Sequence, residues 1–295
     1  MRLILAAGVL LFTLLLAGCS SHEAKFDGTA PPRLPALDSV RLTTDRLIAR
    51  PAPAIVSLPA DALAALTQAA ALHAETTGGA GLRTLTTRYA DALLRARIHA
   101  GGDSGLPAGA RADRIDPGTT LRAGLALAEA YRVTRTARYA AAVRGLARTV
   151  STPPFGLLAL RRGLVMRETQ PGRRRSIALT ALAAAFMTAA DPFDGRRLRT
   201  YASGALRTVA DQQPAVGRWY AYVGTRQPMS LEQWGTTLAA LARVPADEAQ
   251  SIVATGVAAM NENAFLADGV VRAGALTVEP KGIAIALRAL ASGPR

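Results

Sequence analysis

The sequence predicts an all-α fold of repeated helical hairpins, with short β-excursions in the loops that join one hairpin to the next. Three observations carry that expectation. From Ala60 onward the chain is rich in alanine and leucine at helical spacing, and alternating β-branched runs are scarce. A core pentad recurs as Ala62-Leu63-Ala64-Ala65-Leu66, Ala178-Leu179-Thr180-Ala181-Leu182, Thr237-Leu238-Ala239-Ala240-Leu241 and Ala286-Leu287-Arg288-Ala289-Leu290, with Gly124-Leu125-Ala126-Leu127-Ala128 as a weaker copy. A glycine stands in each connection, at Gly105, Gly156, Gly217 and Gly269. The period of about 50 to 60 residues suits a two-helix unit repeated along an array.

Taken in order, the chain begins with the three parts of an export signal over residues 1–18. Arg2 is the basic region, Leu3 to Leu16 are uncharged and apolar, and Ala17 and Gly18 are small residues before Cys19. The tetrapeptide Leu16-Ala17-Gly18-Cys19 resembles the bacterial lipobox. That resemblance implies cleavage before Cys19, thioether lipidation of its sulfur and acylation of the new amino group. Residues 19–58 then carry Pro31, Pro32, Pro35, Pro51 and Pro53 among small and polar residues, with Pro59 just beyond, the composition of an extended tether. Cys19 is the only cysteine, so no internal disulfide can form and the domain over residues 59–295 must hold by packing. No second long apolar run follows the signal, and the expected localisation is extracytoplasmic, on a membrane through the lipid.

Within the domain, four first helices carry the pentads. Second helices are expected near 82–100, 136–150, 195–212 and 246–262, three of them marked by Arg88-Tyr89-Ala90, Arg138-Tyr139-Ala140 and Thr200-Tyr201-Ala202. A last helix is expected near 280–292. Asp191-Pro192-Phe193-Asp194-Gly195 reads as the turn inside the third hairpin. Short extended runs are expected at Leu157 to Leu160, Trp219 to Val223 and Val270 to Ala273.

The phrase AEAYRVTRTARYAAAVRGLARTV, followed by a glycine-led loop and a short strand, resembles (α/α) toroid proteins that act on polysaccharides. The segment GRWYAYVGTRQPMSLEQWGTTLAAL is similar to the C-terminal region of glucuronyl C5-epimerases. The resemblance implies an incomplete (α/α) toroid, since four hairpins and a helix fall short of six hairpins. It also implies that the loops entering the inner helices line a concave binding surface.

The residue inventory narrows the chemistry. His22, His73 and His99 are scattered, so neither a metal site nor a histidine-based triad is expected, and no cofactor-binding motif is present. The 35 basic and 21 acidic residues give +14, nearly all of it arginine. Such a surface attracts nucleic acid, anionic head groups or acidic polysaccharide, and export removes nucleic acid as a partner.

The loop face supplies the candidates. Tyr220 and Tyr222 are read as catalytic acid or base, on one side of a strand whose other side carries Trp219. The same rings equally suit a plug at the end of the helical core. Glu232 is a candidate catalytic carboxylate that would also favour the first turn of its helix whatever the function, and Ser230 is placed to cap that helix. Trp219, Trp234, Arg218, Arg226, Glu168 and Arg173 are the candidate substrate-binding set. Arg161, Arg162, Arg174 and Arg175 crowd the same loops, and Asp268, Arg272, Glu279 and Lys281 stand at corresponding positions later. Two functions follow. One is an envelope lipoprotein that binds or modifies an envelope polysaccharide, acidic ones included, by lyase, epimerase or hydrolase chemistry if it is an enzyme. The other is a non-catalytic helical scaffold that holds a partner protein.

Overall fold

The computed structural model describes residues 58–109, 113–168, 174–194, 197–213, 219–227, 229, 231–253 and 255. Cys19, the tether, the extended run at Val270 to Ala273 and the helix expected near 280–292 lie outside them. The chain forms α1 (Ala60–Thr77), α2 (Ala80–Arg95), β1 (Ile98–Ala100), β2 (Asp103–Gly105), α3 (Pro117–Thr134), α4 (Ala137–Ser151), β3 (Leu158–Ala159), β4 (Leu164–Arg167), β5 (Arg175–Ser176), α5 (Ile177–Asp194), α6 (Arg197–Asp211) and α7 (Leu231–Leu241). Residues 247–253 are again helical.

The hairpins are α1/α2, α3/α4 and α5/α6, with α7 opening a fourth. Successive first helices touch one another, α1 to α3 to α5 to α7, so they form an inner row. Each second helix packs on its own partner, and α2 and α4 also wedge against the next inner helix. Composition explains the two layers. Inner α3 and α5 are buried on most sides and carry small residues that let helices approach closely. Outer α2 buries only Thr86, Tyr89, Ala90, Ala92 and Leu93, the pattern of a helix with one wet face. The tyrosines of the two Arg-Tyr-Ala phrases, Tyr89 and Tyr139, are wholly buried. The Tyr139 hydroxyl donates to Asp91 Oδ1 at 2.8 Å and so ties α4 to α2.

Three expectations are corrected. Residues 98–100 leave the helix and pair antiparallel with residues 103–105, because Gly101 and Gly102 accept the left-handed backbone of the tight turn. The Asp191-Pro192-Phe193-Asp194 phrase is the last turn of α5, not a loop. Pro192 brings no N–H for the carbonyl four residues back, and α5 runs only two residues beyond it. The third concerns apolar runs. The 18-residue α5 has mean hydropathy 1.2, long and apolar enough to cross a membrane, yet 61% of it is buried within the protein, the setting of a core helix.

The short strands sit where the inner helices begin. β3, β4 and β5 form an antiparallel sheet that delivers the chain into α5. A repeated lock fixes this entry. Thr120 Oγ1, in the first turn of α3, accepts the Leu106 amide at 3.0 Å, and Thr180 Oγ1, in the first turn of α5, accepts the Met166 amide at 3.0 Å. Asp116 caps α3 by accepting the Thr119 amide at 2.7 Å, ahead of Pro117 at the first helical position.

Candidate functional site

The aromatic loop docks beside β5. Ser176 bridges Tyr222, the Ile177 amide donates to the Ala221 carbonyl at 3.1 Å, and the Val223 amide donates to the Arg175 carbonyl at 3.0 Å. The loop then folds back on itself through Ala221 N–H to Gln227 O at 2.8 Å, turning at Gly224 with φ 78°. Isolated bridges and a turn replace the regular strand, so the two-residue alternation fails. Trp219, Ala221 and Tyr222 are all buried, while Tyr220 is 39% exposed. Tyr220 and Tyr222 therefore do not share one side. Trp219 is 1% exposed and its indole N–H donates to the Val209 carbonyl of α6 at 3.2 Å. The substrate-stacking role read for Trp219 is corrected to a core plug.

What the loops do bring together is Tyr222, Glu168 and Arg174. The Glu168 amide donates to the Arg174 carbonyl at 2.9 Å, which closes the loop between β4 and β5 and sets the two side chains near each other. The Arg174 guanidinium lies 5.0 Å from the centre of the Tyr222 ring and donates to Gln227 Oε1 at 3.2 Å. Burial raises the Tyr222 pKa, the Glu168 carboxylate beside it raises it further, and Arg174 pulls the other way. Tyr222 thus keeps its proton at neutral pH. It can donate a hydrogen bond or a proton, but a resting base it is not. Arg226 and Tyr220 are exposed nearby in sequence. Glu232 and Trp234 fall in the first turns of α7. Arg173, Arg218, Ser230, Asp268, Arg272, Glu279 and Lys281 lie outside the described residues.

The sequence matches no protein-family model and no curated protein. Solved structures do match. A UGL variant with dGlcA-Glc-Rha-Glc superposes with a TM-score of 0.68 at 15% identity, covering 98% of this chain and 96% of that one. The unsaturated glucuronyl hydrolase of Bacillus sp. GL1, described as responsible for the degradation of glycosaminoglycan, gives 0.63 at 16%, covering 98% and 96%. Cellobiose 2-epimerase of Bacillus thermoamylovorans gives 0.58 at 11%, covering 72% of this chain and 63% of that one. The fold is an (α/α) toroid. At these identities the likeness establishes the architecture and nothing finer.

In this toroid the inner helices also enclose open space, away from the loops. Asp61, Ala64, Ala65 and Gln68 of α1, Arg122 and Leu125 of α3, Leu182 of α5 and Thr236, Ala239 and Ala240 of α7 line a small cavity of about 40 Å³. Gln68, Leu125 and Arg243 are shared with a larger pocket of about 590 Å³ toward the C-terminal ends of α3 and α5. Its charged centre is an ion pair, Arg243 Nη1 to Glu129 Oε1 at 3.0 Å, with side chains 15% and 18% exposed. Burial raises the Glu129 pKa, against the opposing pull of Arg243 and Arg132. The sequence did hold a signal. Glu129 is the one charge in the run Ala123 to Tyr131, and it falls four residues after Leu125 on the same helical face.

Proposed function

We propose that this chain is an envelope lipoprotein whose toroid binds an acidic polysaccharide at the face where the loops enter the inner helices. The observation that carries the reading is the convergence of a protonated tyrosine hydroxyl, a carboxylate and an arginine, Tyr222, Glu168 and Arg174, at the start of α5. A guanidinium suits a uronate carboxylate, and a neutral phenol adds a hydrogen-bond donor beside it. The likeness of residues 217–241 to glucuronyl C5-epimerases and the glucuronyl substrates in the names of the matching structures support the same substrate class. Should the bound sugar be modified, by lyase, epimerase or hydrolase chemistry, Tyr222 is the proton donor to test and Glu168 the acceptor. The lipobox supports a membrane-anchored, extracytoplasmic placement through Cys19.

The test is a glycan array probed with the full-length protein in detergent, beside Arg174→Gln and Tyr222→Phe variants. Acidic glycans are expected to be retained, with affinity falling about tenfold in Arg174→Gln, the loss of one charge-assisted contact. Absence of binding to every acidic glycan, or binding indifferent to both substitutions, removes the proposal. Labelled palmitate should enter the wild-type chain and not Cys19→Ser. One observation favours the scaffold reading: Trp219, the largest ring of the loop, is spent in the core. Array silence together with a stable protein partner recovered by crosslinking would support that reading instead.

A further inference from the structure

The larger pocket lies at the opposite end of the inner helices from the Tyr222 cluster. It is lined by the C-terminal halves of α3 and α5 and by Arg243 and Pro245 beyond the end of α7, whereas the cluster sits where α5 begins. At about 590 Å³ it falls within the size range of small-molecule sites. One wall is aromatic: Tyr131 and Phe193 meet edge to face, with ring centres 5.0 Å apart and planes at 82°. Three arginines, Arg132, Arg135 and Arg243, line it against one carboxylate, Glu129.

Donors remain open among those arginines. Each guanidinium offers five N–H groups. Arg132 gives Nη2 to Glu75, and Arg243 gives Nη1 to Glu129. The Arg243 Nε is sealed from solvent and has no acceptor. A buried donor left so costs stability, a cost that the ion pair of the same guanidinium to Glu129 has to offset.

Arg135 adds an independent observation. It ends α3 in the left-handed region, φ 56°, and is the one described non-glycine residue with positive φ. The equivalent position at the end of α1 is Gly78, φ 70°, the residue type that adopts this backbone freely. Here an arginine takes the strained position at the pocket rim, its guanidinium 5.8 Å from the centre of the Tyr131 ring. Strain held at a rim position, where glycine would relieve it, marks a side chain kept for what it contacts.

We infer that this pocket is a second ligand site, which takes a single hexose-sized ring carrying one carboxylate or phosphate. The ring lies along Tyr131 and Phe193, and the acid group meets Arg132, Arg135 and Arg243. The site is separate from the proposed polysaccharide face and stands or falls without it.

Calorimetric titration of the full-length protein in detergent with D-glucuronate, glucose 6-phosphate and glucose tests the site. At least one charged sugar should bind saturably and glucose should not; which of the two binds distinguishes carboxylate from phosphate. Arg132→Gln, a change at an exposed side chain, should weaken that binding at least about tenfold. Arg135→Gly should weaken it as well while raising Tm, because it relieves the left-handed arginine; that combination cannot come from misfolding. Arg174→Gln, which removes any uronate taken up at the loop face, should leave the Arg132-dependent part of the binding unchanged. The inference is overturned if neither charged sugar binds, if glucose binds as well as they do, or if Arg174→Gln abolishes binding that Arg132→Gln and Arg135→Gly leave intact.

Discussion

At the scale of single residues, two helical glycines show how far identity alone misleads. A Cβ on Gly124 of α3 would sit 2.4 Å from the Phe186 ring of α5, and that ring is wholly buried with no room to swing away. Gly145 of α4 is helical too, yet a Cβ there meets nothing within 4 Å. Gly124→Ala is therefore expected to cost about 1–3 kcal/mol by overpacking, and Gly145→Ala to stabilise by about 0.5–1 kcal/mol through helix propensity. Thermal unfolding of the two variants beside wild type checks the opposite signs; a shared direction would mean that the α3–α5 approach is looser than described. The sequence displayed Gly124 as an imperfect copy of the alanine pentad, but the reason for the imperfection is a ring 62 positions later, which no local pattern encodes. Trp219 shows the reverse. Its aromatic character was plain, while its burial depended on the end of α6 arriving beside it.

At the scale of elements, the hairpins were legible because each helix advertises its own period. The pentads fall inside α1, α3, α5 and α7, and the tyrosine phrases mark α4 and α6 to within about two residues, whereas α2 ends at Arg95, short of the expected residue 100. The joints were less so. Thr120 and Thr180 each take a backbone amide 14 residues upstream, binding strand or loop to the start of an inner helix. Threonine inside a helix carries no sign of that work, since its usual bond is to its own helix. Both positions are fully buried, so Thr120→Val and Thr180→Val keep the shape and strand a buried amide. Each is expected to cost about 1–3 kcal/mol, read from chemical denaturation. Thr134→Val, which at the partly exposed end of α3 loses its bond to the Ala130 carbonyl and a long one, 3.4 Å, from the Thr136 amide, should cost less because that amide is not sealed from water. Equal losses at all three sites would deny the lock its role. The Tyr222 cluster was half legible for the same reason: its residue types were visible, but their convergence depends on Ser176 pairing with Tyr222 across 46 positions of chain.

At the scale of the whole molecule, curving a row of helices leaves a lumen, and the lumen holds a charge pair that no loop-based reading finds. Glu129 titrates near 4.5 when free of its surroundings. In the folded protein burial raises that value, and Arg243 and Arg132 only partly offset the shift. Between the two values the folded chain keeps a proton that the unfolded chain has lost, so the slope of stability against pH is negative there. The contribution of Glu129 is thus fully favourable below about 4.5 and is lost as pH rises through the folded pKa. Glutamine at this site cannot ionise, and other carboxylates act alike in both proteins. The stability of wild type minus that of Glu129→Gln should therefore decline from its acid plateau as pH passes upward from about 4.5, with the wild type at its relative worst near neutrality. Tm measured for both proteins from acid to neutral pH gives that difference directly. A difference that instead grows with pH would mean that the attraction of Arg243 outweighs the cost of burying the carboxylate, and that the pair is a strut of the toroid rather than a charge held ready in its pocket.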